Sequence, residues 1–198
     1  MMRCLVVIAH PSKESLCRTV AVKAIETLRA AGHDVIVEDL CGNEFAPGLT
    51  EEERASYYGQ TYEGADVQAE IERLQTAEGL VLCFPTWWFG FPAVLKGWFD
   101  RVWAPGVAYD HADDLGPIKP RLKSLRKVLA VTSLGAPWWV DRIVMRQPVK
   151  HVLKRAILGA CAPAAEFKML SLYKAERLEA DQVQRFAEKV EWALKGWR

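Results

Sequence analysis

The chain has no surplus of either charge: 26 Lys and Arg stand against 25 Asp and Glu in 198 residues. The electrostatic footprint that nucleic-acid binding or attachment to an anionic membrane requires is therefore missing. No apolar run approaches the roughly 20 residues of a membrane-spanning helix, and Cys4 to Ala9 is too short for a signal-peptide core and has no cleavage region behind it. A soluble protein, neither exported nor inserted in a membrane, is expected. The five cysteines, Cys4, Cys17, Cys41, Cys83 and Cys161, are odd in number and scattered, with no CxxC or Cys/His ligand spacing. Neither a disulfide framework nor a zinc site is suggested, and a reducing cytoplasm fits best. The dinucleotide fingerprint GxGxxG and the phosphate-loop pattern GxxxxGK[ST] are also absent, which counts against a conventional nicotinamide Rossmann site and against an NTPase.

What is present is half apolar and free of internal repeats, so a single α/β domain over residues 1–198 is expected. Arg3 to Ala9 is short, β-branched and apolar throughout, the pattern of a strand buried on both faces of a parallel sheet. A helix over Ser15 to Ala31 follows, with Ser15 as its cap and Gly32 at its left-handed stop. Val35 to Val37, Gly79 to Phe84, Lys127 to Thr132 and Ala164 to Leu172 read as four further strands. Helices are expected over Asp66 to Ala77, Pro92 to Trp103, Asp141 to Leu158 and Glu176 to Leu194. Cys41 to Gly64 is an irregular excursion in which Thr50 to Glu53 has capping-box form. Five strands alternating with helices imply a three-layer sandwich around a doubly wound parallel sheet.

In such a sheet, ligands bind beyond the carboxyl ends of the strands. After the first strand, His10-Pro-Ser-Lys-Glu-Ser-Leu-Cys17 sets an imidazole, hydroxyls and a lysine before a helix N-terminus, where free amides favour a phosphate. After the third, Pro85-Thr86-Trp87-Trp88-Phe89-Gly90 places three aromatics in a loop, a better position for flanking a planar ligand than for hiding indoles. After the fourth, Thr132, Ser133, Gly135 and Ala136 allow close backbone approach, with Trp138 and Trp139 beyond. Three strand ends converge on one planar, phosphorylated ligand. An ordinary helix cap with a part-exposed His10, and aromatics that simply serve the core, are the structural alternatives.

The His10-Pro and Ser15-Leu16 pairs, the stretch PTWWFGFPAVLKGWFDRVW from Pro85 to Trp103 and the Thr132 to Ala136 turn resemble the flavodoxin-like NAD(P)H:quinone oxidoreductases. This group includes the mammalian quinone reductases and the bacterial modulators of drug activity. The resemblance implies a homodimer with two sites at its interface, each holding FMN or FAD. The flavin phosphate would meet His10, Ser15, Leu16 and Cys17. Its ring would lie on Pro85, Thr86, Trp87, Trp88 and Phe89, and its pyrimidine edge on Thr132, Ser133, Gly135 and Ala136. It further implies ping-pong hydride transfer from NAD(P)H through flavin N5 to quinones or similar flat acceptors, with no metal. Cys17 replaces the family's usual asparagine. The tyrosine and histidine that assist hydride transfer in the mammalian enzymes have no clear match near Trp138 and Trp139, so no side chain is assigned a catalytic role.

Two other roles belong to relatives of this fold. A flavodoxin-type one-electron carrier ordinarily needs a charged docking face, which near-zero net charge argues against. An ancillary subunit of a potassium-efflux system would need a partner face, for which the apolar stripe around Trp98 is a candidate that a self-dimer also explains. Cys83 and Cys161 read as core residues and His33 and His111 as turn residues. The basic face of Lys150, His151, Lys154 and Arg155 reads as solvated, with an NADP phosphate as its sharper alternative. Tyr57, Tyr58 and Tyr62 are candidates for closing over the flavin of a neighbouring subunit.

Overall fold

The computed structural model describes residues 1–59, 61–112 and 116–197. Parts of the excursion at 41–64 and of the connection at 104–120 lie outside them.

Strand β1 (Arg3–Ile8) is completely apolar after its first two positions, and alternate side chains enter opposite layers. Leu5 and Val7 join one core while Cys4, Val6 and Ile8 join the other. This explains why the strand lacks polar alternation: neither face meets water. Helix α1 (Leu16–Ala30) follows on the second of these cores, capped by Ser15 and ended by Gly32 at φ +80°. Strand β2 (Asp34–Asp39) is next.

Helix α2 (Glu51–Ser56) lies within the excursion and opens with the expected capping box between Thr50 and Glu53. A 3-10 turn (Ala65–Val67) leads into α3 (Gln68–Thr76), which precedes β3 (Gly79–Pro85). Helix α4 (Ala93–Val102) begins one residue after Pro92, which caps it instead of occupying its first turn. A two-residue ribbon, β4 (Tyr109–Asp110) and β5 (Lys119–Pro120), precedes β6 (Lys127–Leu134). After the crossover come β7 (Glu166–Tyr173), a 3-10 turn (Ala175–Arg177) and α7 (Ala180–Lys195).

The main sheet is fully parallel, in the order β2-β1-β3-β6-β7. This is the flavodoxin-like arrangement of a doubly wound α/β sandwich. Residues of α1 and α7 fill one core; residues of α3, α4 and the β6–β7 crossover fill the other.

The crossover differs from the single helix expected over Asp141 to Leu158. It starts as a π-type turn (Val140–Val144), breaks at Arg146 and Gln147, and restarts as α5 (Pro148–His151). It then widens into π geometry (Val152–Ile157) before closing as α6 (Leu158–Cys161). Pro148 is the reason for the break. Its ring crowds the preceding residue out of helical backbone, and Gln147 takes φ +53° instead.

The excursion is bolted to α4. Arg101 Nη2 reaches Glu53 Oε1 at 2.7 Å and Nη1 donates to the Ala46 carbonyl at 2.7 Å, with both charged side chains buried. Burial alone would raise the Glu53 carboxyl, but Arg101 and the Thr50 amide outweigh it and hold it below the ordinary value. Gly97 is what permits the approach, since a Cβ there would stand 2.1 Å from the Pro47 carbonyl oxygen.

Candidate functional site

Strand β1 lies between β2 and β3, and the connections leaving β1 and β3, through α1 and α4, pass to opposite faces, so a crevice opens where β1 and β3 end. The two ends are tied there: the Ala9 amide donates to the Cys83 carbonyl at 2.9 Å. His10 and Pro85 are the next residues on each side.

On the β1 side, His10 Nδ1 accepts from the Ser12 amide at 3.0 Å, so the neutral ring carries its proton on Nε2 and presents a donor. Ser15 Oγ accepts the Arg18 amide at 3.3 Å, and the amides of Leu16 and Cys17, at the head of α1, have no intrahelical acceptor. Arg18, in that first turn, forms an ion pair with Asp39 at the end of β2. The Cys17 thiol turns inward, with Sγ 3.6 Å from Ser133 Oγ. Burial pushes it up to about 11 against the opposing pull of that contact. Cys17 therefore brings an amide, not a thiol, to the cradle.

On the β3 side, the Thr86 amide donates to the Ser133 carbonyl at 2.9 Å, and the buried hydroxyls of Thr86 and Thr132 lie 2.8 Å apart. The loop then reverses over four residues. Gly90 N donates to the Trp87 carbonyl at 2.9 Å, with Trp88 at φ +51° and Phe89 at φ +54° between them. Two consecutive left-handed residues belong to a type I′ turn, whose preferred occupants are Asn and Gly. Bulky side chains there cost about 1–2 kcal/mol each. Strain of this kind is characteristically retained where backbone must present itself to a ligand. Trp88 is 101% exposed, its whole indole in water.

A groove of about 300 Å³ follows this loop, lined by Thr86, Trp87, Trp88, Phe89, Leu134, Gly135 and Ala136. Of these, only Leu134 was not singled out in the sequence. Thr132 and Ser133 belong to β6, which runs two residues past its expected end, and support the groove from behind. Pro85 is the buried last residue of β3. The cradle joins the groove through His10, whose ring lies 6.0 Å from that of Trp87.

Outside the groove two expectations change. The Trp98 stripe is no partner face: Trp98 is 0% exposed and packs edge-on against Phe99 and Trp103. Exposed apolar side chains gather in sequence instead at Trp138, Trp139, Ile143, Val144, Met145 and Val152, in the segment that follows the groove's Ala136. His33 is buried, its Nδ1 accepting from the Met2 amide at 3.1 Å. Among the excursion tyrosines, Tyr57 and Tyr62 donate to the carbonyls of Asp100 and Arg101 and are committed to α4. Tyr58 is the exposed one, stacked on His111 at 4.8 Å.

No helix among the described residues is long and apolar enough to cross a membrane, and no cluster of His, Cys, Asp and Glu among them could hold a metal.

The chain belongs to the flavodoxin-like fold family, whose sequence model matches residues 2–194. It is 32% identical over 152 residues to NAD(P)H dehydrogenase [quinone] 1 of Cavia porcellus, a match covering 68% of this chain and 54% of that protein. The chain thus spans about half the length of the curated relatives it matches first. Among solved structures it superimposes on the NAD(P)H:quinone oxidoreductase from Methanothermobacter marburgensis with a TM-score of 0.82 at 28% identity, over 97% of this chain and 94% of that one. General stress protein 14 of Treponema denticola, solved with FMN, shares the fold with a TM-score of 0.62 at 24% identity, over 99% of both chains.

Proposed function

We propose that the protein is a flavin-dependent NAD(P)H:quinone oxidoreductase. The observation that carries this reading is the union of cradle and groove at the β1/β3 crevice, made by the His10–Trp87 contact and the Thr86–Thr132 hydrogen bond. The residues fit FMN or FAD: unclaimed amides at the head of α1 suit the phosphate, and an aromatic-walled groove with no ionisable lining side chain suits the ring. Likeness to the quinone oxidoreductases of Methanothermobacter marburgensis and Cavia porcellus points the same way.

When bound, a flavin would supply the redox chemistry, two-electron exchange between a reduced nicotinamide and a quinone. The chain's own task is to hold and orient. His10 Nε2 and the Leu16 and Cys17 amides grip the phosphate, while the Trp87–Gly90 turn fixes the plane against which flat substrates stack. Thr86 and Thr132, tied to each other, keep that turn in register with β6. None of the groove's own lining side chains is an acid or base.

The second copy of a homodimer covers Trp138, Trp139, Ile143, Val144 and Met145, which adjoin the groove and leave an apolar surface in water when unpaired. Tyr58 of one copy then stands at the other's groove.

The test is the purified protein's flavin, identified by chromatography after release, and its NAD(P)H oxidation with a series of quinones. Parallel double-reciprocal lines are expected. Absence of bound flavin together with failure to take up added FMN or FAD would end the proposal.

A further inference from the structure

Between Pro137 and Ala162 the chain carries five Arg and Lys and a single acidic residue, Asp141. In a chain of net charge +1 this is a strong local concentration. Among the described residues no ion pair engages Arg142, Arg146, Lys150, Lys154 or Arg155. Arg142 has another attachment: its Nε lies 3.4 Å from the Tyr173 hydroxyl and its guanidinium sits over that ring. Asp141 is buried and accepts the Tyr173 hydroxyl at 2.9 Å. The acidic residue of the segment is therefore turned away from any ligand.

The topology places these cations. Strand β6 ends at the groove with Leu134, and β7 runs parallel to it, so the intervening chain must travel from the carboxyl end of the sheet back to the amino end. Its last turn is already at the amino end, where the Cys161 carbonyl accepts the Leu122 amide at 3.1 Å. Arg146 stays at the carboxyl end, since the next amide, that of Gln147, donates to the Asp141 carbonyl and Asp141 holds Tyr173 at the end of β7; Lys150 follows about one helical turn on. Lys154 and Arg155 are further down. The left-handed break at Arg146 and Gln147, φ +55° and +53°, leaves Arg146 exposed beside that rim.

A groove of about 300 Å³ is at the lower limit for a ligand pocket and takes ring systems, not a whole dinucleotide. The adenosine half of a nicotinamide donor has to lie outside it. One flank, the α1 cradle, is committed to the flavin phosphate under the reading above, on which this inference rests. The other flank is the start of the crossover.

We propose that Arg146 and Lys150 bind the 2′-phosphate of NADPH and make the protein selective for NADPH over NADH. The chemistry separates the two donors cleanly. A phosphate monoester carries nearly two negative charges at neutral pH and matches a guanidinium fork and an ammonium. The free 2′-hydroxyl of NADH is ordinarily met by a carboxylate; the crossover's single one, Asp141, is taken by Tyr173, and Glu176 stands instead beside Gly135 of the groove.

The experiment has two arms. Calorimetry compares the binding of adenosine 2′,5′-bisphosphate and AMP to the purified protein, and steady-state kinetics compare NADPH with NADH. The bisphosphate should bind and AMP should not. Arg146→Ala and Lys150→Ala should each weaken bisphosphate binding and raise the KM for NADPH by about tenfold or more, the worth of one hydrogen bond to a charged group, leaving NADH unchanged. The Lys154→Ala/Arg155→Ala variant, on the same segment but away from the rim, should behave as the parent. Equal use of both donors by the parent protein, or equal loss for both in Arg146→Ala and Lys150→Ala, overturns the proposal while leaving the flavoenzyme reading intact. If the protein binds no flavin and oxidises neither donor, that reading falls instead. The bisphosphate arm then decides alone, equal affinity for bisphosphate and AMP being the adverse result.

Discussion

The Trp98 indole donates its Nε1 hydrogen to Glu38 Oε1 at 2.6 Å, deep between β2 and α4, where Glu38 is 1% exposed. Burial pushes the Glu38 carboxyl up to about 7, opposed by Arg73 and by the Trp98 hydrogen bond and aided by the like charge of Glu70. Because the folded value lies above the ordinary 4.5, the native state holds the proton more tightly than the unfolded chain. Stability is then greatest at low pH with respect to this group and declines as pH rises from about 4.5 to about 7, by about 3 kcal/mol in all. Glu38→Gln should remove that slope. Urea denaturation of both proteins between pH 4.5 and 8 measures it, and parallel profiles would contradict the assignment.

The Thr86 and Thr132 hydroxyls share one buried hydrogen bond and have no other side-chain partner among the described residues. Thr132→Val strands the Thr86 hydroxyl away from water and should cost about 1–3 kcal/mol. Thr86→Val/Thr132→Val removes the polar pair altogether and should be less damaging than the sum of the two single changes. Additive losses in a double-mutant cycle would mean that the hydroxyls are not coupled.

How much of this was legible in the sequence depended on the range of the interactions involved. The capping box at Thr50 and Glu53 and the stop at Gly32 are local, and both stand where their residue types place them. Strands β1 and β3 were visible because each is an almost unbroken apolar run. Trp98 was harder. An apolar stripe on a helix has the same pattern whether it meets a partner or its own core, and only the sheet's topology decides between them. The bond from Trp98 to Glu38 spans 60 positions and had no local signal. The break before Pro148 did have one, since proline disfavours helix in the residue before it, but the surrounding helical periodicity masked it. The inward turn of Cys17 was likewise invisible, because position within a first turn does not determine which way a side chain points.

Trp88 combines full exposure with left-handed backbone, so Trp88→Gly should lose almost no burial and relieve backbone strain. The relief of about 1–2 kcal/mol exceeds the extra chain entropy of glycine, roughly 0.5–1 kcal/mol. The variant is expected to be as stable as the parent or up to about 1 kcal/mol more stable. Its catalytic efficiency towards quinones should nevertheless fall, since the stacking wall is gone. Thermal melts beside quinone kinetics test this, and a clear loss of stability would show that the indole is packed in solution, as it would be against a second copy.

The thiols differ enough in their surroundings to be told apart chemically. Cys4 and Cys17 are pushed up to about 11 and Cys161 to about 12, chiefly by burial, and Cys83 is driven up as well. Only the thiolate attacks an alkylating reagent, and each tenfold drop in its population slows the reaction accordingly. Cys41 is part-exposed, and its thiol is raised by burial and by Asp39. Iodoacetamide at neutral pH should therefore label Cys41 first and slowly, with the other four reacting only after denaturation. Because Cys41 does not line the groove, protein labelled there should keep its turnover. Inactivation in step with modification of Cys17 would show that its side chain reaches the cradle after all.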